Sequence, residues 1–159
     1  MSTRHAIVAG ADRVFGSEVA TRLRADGIIV AEDPASFPTD IVLDMLVVDL
    51  TMPSSDLPFR AVTEDDLRAV LDSQLYALVA AVQAAVPRMS AGGGIVLIVP
   101  RTYLGSWGGV HGAAAAAACV AMGRSMAIEL APVSYTHLRA HETSLHLVCR
   151  LLLEKKKQK

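Results

Sequence analysis

At 159 residues, 52% hydrophobic and 19% charged, the chain is sized for one compact domain with a substantial core. The net charge of −1 conceals an uneven distribution: the only lysines are Lys155, Lys156, Lys157 and Lys159, so residues 1–131 carry nine Arg against fourteen Asp and Glu, a net of −5. An acidic body without basic clusters or interleaved aromatics excludes nucleic acid as the expected partner.

No apolar run reaches the roughly 18 residues that span a bilayer, and Met1–Arg4 leads into a strand without a secretory pattern, so a cytoplasmic protein with no membrane partner is expected. Cys119 and Cys149 are far apart in a chain with no export signal, and free thiols are expected of both.

His5–Ala9 reads as a short buried strand that stops at Gly10, and Val19, Ala20 and Leu23 recur with helical spacing between Ser17 and Arg24. Gly27 ends that helix and Ile28–Ala31 makes the next strand. A strand feeding a helix through glycines opens a βαβ nucleotide-binding unit, in which the helix N-terminus offers unpaired N–H groups to a pyrophosphate. A plain strand-to-helix connection has the same appearance.

Pro34–Asp40 is a short linker, and the strand IVLDMLVVDL follows, ending near Leu50. Met52–Phe59 is loop. Thr63 caps a long helix with Glu64, Asp65 and Asp66 in its first turn. Leu67, Val70, Leu71, Leu75, Leu78, Val79, Val82, Val86 and Met89 give that helix one apolar face, which suits core packing better than a partner groove. Gly92, Gly93 and Gly94 are expected to end the helix and release a strand at Ile95–Val99. Pro100–Gly112 reads as the loop beyond a strand's carboxyl end, where an α/β sheet places chemistry, and an alanine-rich helix follows from Ala113 to Ala131.

Across Arg4–Pro132 the chain resembles the short-chain dehydrogenase/reductase family. VTEDDLRAVLDSQLYALVAAVQAAVPRMSAGGGIVLIV and GRSMAIELAP carry the likeness most specifically. The resemblance implies an α/β, Rossmann-like three-layer fold with a parallel sheet, here reduced and C-terminally truncated. It also implies NAD(P)-dependent hydride transfer to or from a carbonyl or alcohol.

The family's Gly-x-x-x-Gly-x-Gly turn falls on Gly10, Val14 and Gly16, so the middle glycine is replaced by a branched residue and NAD(P) binding is expected to be weak or absent. Gly10, Arg13, Phe15, Gly16 and Asp33 are the cofactor-binding positions the likeness implies. Arg13 would favour NADP, whereas Glu32 and Asp33 would favour an NAD ribose. The family's Asn-Asn-Ala-Gly is Val48-Asp49-Leu50-Thr51.

In this family a tyrosine exchanges a proton with the substrate and a lysine four residues later lowers its pKa; that spacing puts both on one helix face. Registered on RSMAIELAP, these positions fall on Gly112 and Ala116, the serine position falls close to Pro100 and the asparagine position on Gln74. No catalytic residue is therefore assigned. Arg101, Thr102, Tyr103 and His111 lie in the expected loop as substitute candidates, though an ordinary structural role suits them better. The readings are an inactive dehydrogenase relative, a noncatalytic nucleotide-binding or dimerisation module with a homo-oligomer formed through the long helices, and, last, an enzyme of altered chemistry built on Tyr103 and His111.

The domain is expected to end at Pro132. Residues 133–159 resemble the conceptual translation of a transposase-type sequencing adapter, in frame from SYTHLRAHET (Ser134–Thr143) and again from LVCRLLLEKK (Leu147–Lys156). On that reading the natural gene continues past Pro132. His137, His141 and His146 are then no metal site, and the basic leucine run is no membrane helix.

Overall fold

A computed structural model describes residues 3–53 and 56–130; the expected boundary at Pro132, the tail at 133–159 and Cys149 lie outside them. Four strands, β1 (His5–Ala9), β2 (Ile29–Ala31), β3 (Leu43–Asp49) and β4 (Met89–Ile98), form a parallel sheet in the order β2-β1-β3-β4. Three helices cover it: α1 (Val14–Ala25), α2 (Glu64–Arg88) and α3 (Val110–Glu129).

The sheet is buried on both faces, as parallel sheets require. On one face Val8, Val47 and Ile98 pack with Ala20, Phe15, Val19 and Leu23 of α1. On the other, Ile7, Leu46, Val48 and Ile95 pack with Leu78, Ala81, Val82 and Ala85 of α2 and Cys119 of α3. This is the Rossmann-like three-layer fold that the sequence implies, with four strands among the described residues.

The linker between β2 and β3 crosses the sheet past β1 with one 3-10 turn, Pro34–Ser36. Arg88 holds it, donating to the carbonyls of Pro34 at 3.0 Å, Pro38 at 2.7 Å and Ile41 at 3.4 Å.

Thr63 begins α2 with a reciprocal capping box: its hydroxyl accepts from the Asp66 N–H at 3.2 Å, and the Asp66 carboxylate accepts from the Thr63 N–H at 2.9 Å. The Thr63 hydroxyl also donates to the Asp66 carboxylate at 2.6 Å, and this bond first, then the Thr63 N–H, lowers the Asp66 pKa below its ordinary 3.8. By length and composition alone α2 is apolar enough to cross a membrane, with a mean hydropathy of 1.5; here one side of it packs on the sheet.

One feature of β4 and one of α2 differ from the sequence reading. The glycine triplet does not precede β4 but lies inside it. The register jumps from Leu43↔Met89 to Met45↔Gly94, and Gly92 adopts φ 95°, so the triplet supplies an irregularity rather than a helix stop. The second helix also contains a π turn, Leu71–Tyr76. It sets Val70, Gln74, Leu78 and Val82 in one buried line and leaves Leu67 38% exposed, although Leu67 was expected on the apolar face.

Candidate functional site

The sheet order reverses direction between β1 and β3, and an α/β sheet binds ligands in the crevice beyond the carboxyl ends of such a pair. Gly10, Arg13, Val14 and Gly16 come together there with Asp49, Thr51 and Ser73. The first helical turn begins at Val14, earlier than the apolar spacing suggests, so Val14 needs no positive φ and stands 78% exposed. Gly10 alone takes the left-handed conformation in this turn, at φ 84°. A Cβ on Gly16 would lie 2.1 Å from the Gly10 carbonyl oxygen, so this glycine sets how closely α1 meets β1. Phe15 turns into the core beneath the turn.

Gly10 also permits a close approach, and protein atoms make it. A Cβ there would lie 2.7 Å from the Asp49 carbonyl oxygen and 3.3 Å from Cδ of Arg13. The Arg13 guanidinium donates through Nη1 to the carbonyls of Asp49 at 2.9 Å and Thr51 at 3.0 Å, and through Nη2 to that of Ser73 at 2.9 Å.

Asp49, only 2% exposed, sits at the N-terminus of α1. Its Oδ2 accepts from the Gly16 N–H at 2.7 Å, and its Oδ1 accepts from the Thr51 N–H at 2.9 Å and the Thr51 hydroxyl at 2.7 Å. A carboxylate at a helix N-terminus satisfies both the orphan N–H and the macrodipole. Protein atoms therefore stand close over Gly10, and a carboxylate already occupies the helix end.

Asp33 is not part of this group. It caps the linker's 3-10 turn, accepting from the Ala35 N–H at 2.9 Å, while Glu32 pairs with Arg24 at 3.0 Å on the surface.

The catalytic positions lie on α3 and α2. Gly112 has no side chain, and a Cβ there would meet no atom of the described residues within 4 Å beyond its own helix. Ala116 is fully buried. Gln74 is 1% exposed; its amide donates to the Leu50 carbonyl at 3.0 Å, and its Oε1 has no partner among the described residues.

His111 was expected in the loop, yet α3 begins at Val110 after Gly109, which places His111 in the helix and 7% exposed. Its charge contributes to lowering the Asp66 pKa. Arg101, Thr102 and Tyr103 occupy a separate 3-10 turn, Arg101–Leu104. That loop is fixed where the Leu57 N–H donates to the Gly108 carbonyl at 3.0 Å. Cys119 is a buried free thiol whose pKa burial pushes up to about 11. Among the described residues no group of His, Cys, Asp and Glu could hold a metal.

Sheet order and glycine turn together define a Rossmann-like α/β domain. Residues 41–137, more than half of the chain, match the family model described as Enoyl-(Acyl carrier protein) reductase, and the chain belongs to the short-chain dehydrogenase/reductase family.

Among solved structures it is similar to a short-chain dehydrogenase/reductase, glucose/ribitol dehydrogenase, from Brucella melitensis, with a TM-score of 0.70 and 20% identity over 86% of this chain and 75% of that one. It is also similar to LugOII, a promiscuous reductase that catalyses keto-reduction at C1 during lugdunomycin biosynthesis, with a TM-score of 0.70 and 22% identity over 84% and 74% of the two chains. An oxidoreductase of the same family from Burkholderia thailandensis gives a TM-score of 0.69 and 21% identity over 86% and 66%. No curated protein sequence is significantly similar to the chain.

Proposed function

We propose that this protein is a noncatalytic member of an oxidoreductase family, a scaffold for NAD(P)-dependent hydride transfer that does not carry the reaction out. The observation that carries the reading is the face of α3: Gly112 leaves open space at the tyrosine position, and Ala116 closes the lysine position with a buried methyl group. A carbonyl that accepts hydride needs a proton at its oxygen, and a general acid must lie within hydrogen-bond reach of that oxygen. Neither residue has a proton to give, and residues 1–131 contain no lysine.

NAD(P) is held weakly or not at all on this reading, and the protein is cytoplasmic. It acts by assembly, as a homo-oligomer through its long helices, without nucleic-acid or membrane partners. Tyr76 at 62%, Val110 at 41% and Ile128 at 79% exposure on α2 and α3 support such a contact.

Progress curves with NADPH or NADH and a simple ketone test the reading. No turnover above the buffer rate is expected, and saturable carbonyl reduction would overturn it. Sedimentation velocity tests the assembly, with a dimer or larger species expected.

A further inference from the structure

We propose that the crevice between β1 and β3 is a guanidinium site filled from within by Arg13, and that this internal ligand keeps a dinucleotide out. The crevice presents acceptors: the carbonyls of Asp49, Thr51 and Ser73 all face one guanidinium at 2.9–3.0 Å. A planar fork of N–H donors can serve three carbonyls at once, which a phosphate, having only acceptors to offer, cannot do.

The surrounding backbone is arranged for the same occupant. In the π turn the Ala77 N–H reaches the carbonyls of Asp72 and Gln74 and passes over that of Ser73, which receives Nη2 of Arg13 instead. Gly10 lacks the Cβ that would press on the Arg13 stem.

Charge points the same way. The Asp49 carboxylate already holds the Gly16 N–H of α1, so a pyrophosphate at that helix end would bring negative charge onto negative charge. For Arg13 to reach outward to a phosphate, three carbonyls in a part-buried crevice would lose their donor, and unmade hydrogen bonds of this kind are costly.

The inference deepens the noncatalytic reading but rests on the crevice alone. Dinucleotide binding without turnover would overturn it and leave the reading of α3 standing; turnover would remove both. The test uses the full chain. Titration with NADH and with NADPH, followed by nicotinamide fluorescence and by calorimetry, is expected to show no saturable binding; saturation in the micromolar range overturns the proposal.

Arg13→Ala is expected to lower Tm by about 5 °C. Millimolar methylguanidinium should recover a large part of that loss, while methylammonium at equal ionic strength should not. An unchanged Tm, or recovery by either cation alike, overturns the proposal. Should Arg13→Ala not fold, Arg13→Lys supplies the second variant: a lone ammonium cannot span the three carbonyls, so its Tm must fall below wild type, and equality overturns the proposal.

Discussion

Arg13 and Arg88 each spread one guanidinium over three main-chain carbonyls, at opposite ends of the same sheet. Arg88 lies where β4 begins, and its partners, Pro34, Pro38 and Ile41, belong to one linker whose regular structure is a single 3-10 turn. Arg13 lies just past the end of β1, and its partners lie at the end of β3, in the loop that follows it and in the middle of α2. Buried carbonyls that no strand or helix satisfies must find a donor elsewhere. At the amino end of the sheet that need follows from a short crossing. At the carboxyl end it arises where an α/β protein ordinarily receives a ligand, so the same side-chain device stabilises in one place and excludes in the other.

The largest effect is expected from Asp49→Ala, because the carboxylate serves the Gly16 N–H and both Thr51 donors. Leaving these unpaired costs about 3 kcal/mol, measured by urea unfolding; a loss no greater than that of an exposed aspartate would show that the carboxyl end is not held through this residue.

Arg88→Ala follows, at about 2 kcal/mol. Hydrogen exchange should loosen residues 34–41 and leave the amides of β1 and β3 protected, whereas uniform loosening would contradict a local clamp. Combining Arg13→Ala with Arg88→Ala should give the sum of the single effects within about 0.5 kcal/mol, as expected of separate sites. A larger departure would join the two ends into one cooperative unit.

Thr63→Ala is smaller, at about 1 kcal/mol for a lost cap. Because the Asp66 pKa is lowered on folding, its contribution is present above the ordinary 3.8 and is lost as pH falls through the lowered value. The variant should therefore have a flatter acid limb. Cys119 is the mildest probe. Its pKa rises from 9.0 to about 11 by burial, so its contribution is full below pH 9.0 and fades as pH climbs toward about 11. Thiol reagents should leave it unmodified in the native protein at neutral pH.

Local patterns carried most of the scaffold. Alternation of glycine with apolar runs marks β1, α1 and β2, the apolar run after the proline linker marks β3, and Thr63 with Asp66 marks the start of α2, since each signal lies within a few residues of its effect. The start of β4 was not legible, because a glycine triplet ends helices as readily as it bends strands; only pairing with β3 decides between them.

The crevice was half legible. Gly10, Arg13, Phe15 and Gly16 could be named from the turn. The carbonyls that receive Arg13 lie 36 to 60 positions away, and no periodicity reports on main-chain acceptors at that range. Asp49 was visible as a departure from the family's asparagine, but its hold on Gly16 required the fold.

The π turn at Leu71–Tyr76 has a consequence for how α2 tolerates change in length. It stores one residue more than a regular helix would place there. Excising one position within it would restore an even ladder and leave Glu64–Val70 facing as before, because the wider turn already takes up the extra residue. Val70 would keep its place in the core, but the Ser73 carbonyl would be taken into the ladder by the Ala77 N–H and lost to the arginine. A trim that looks harmless along the chain would therefore unlatch the sheet's carboxyl end.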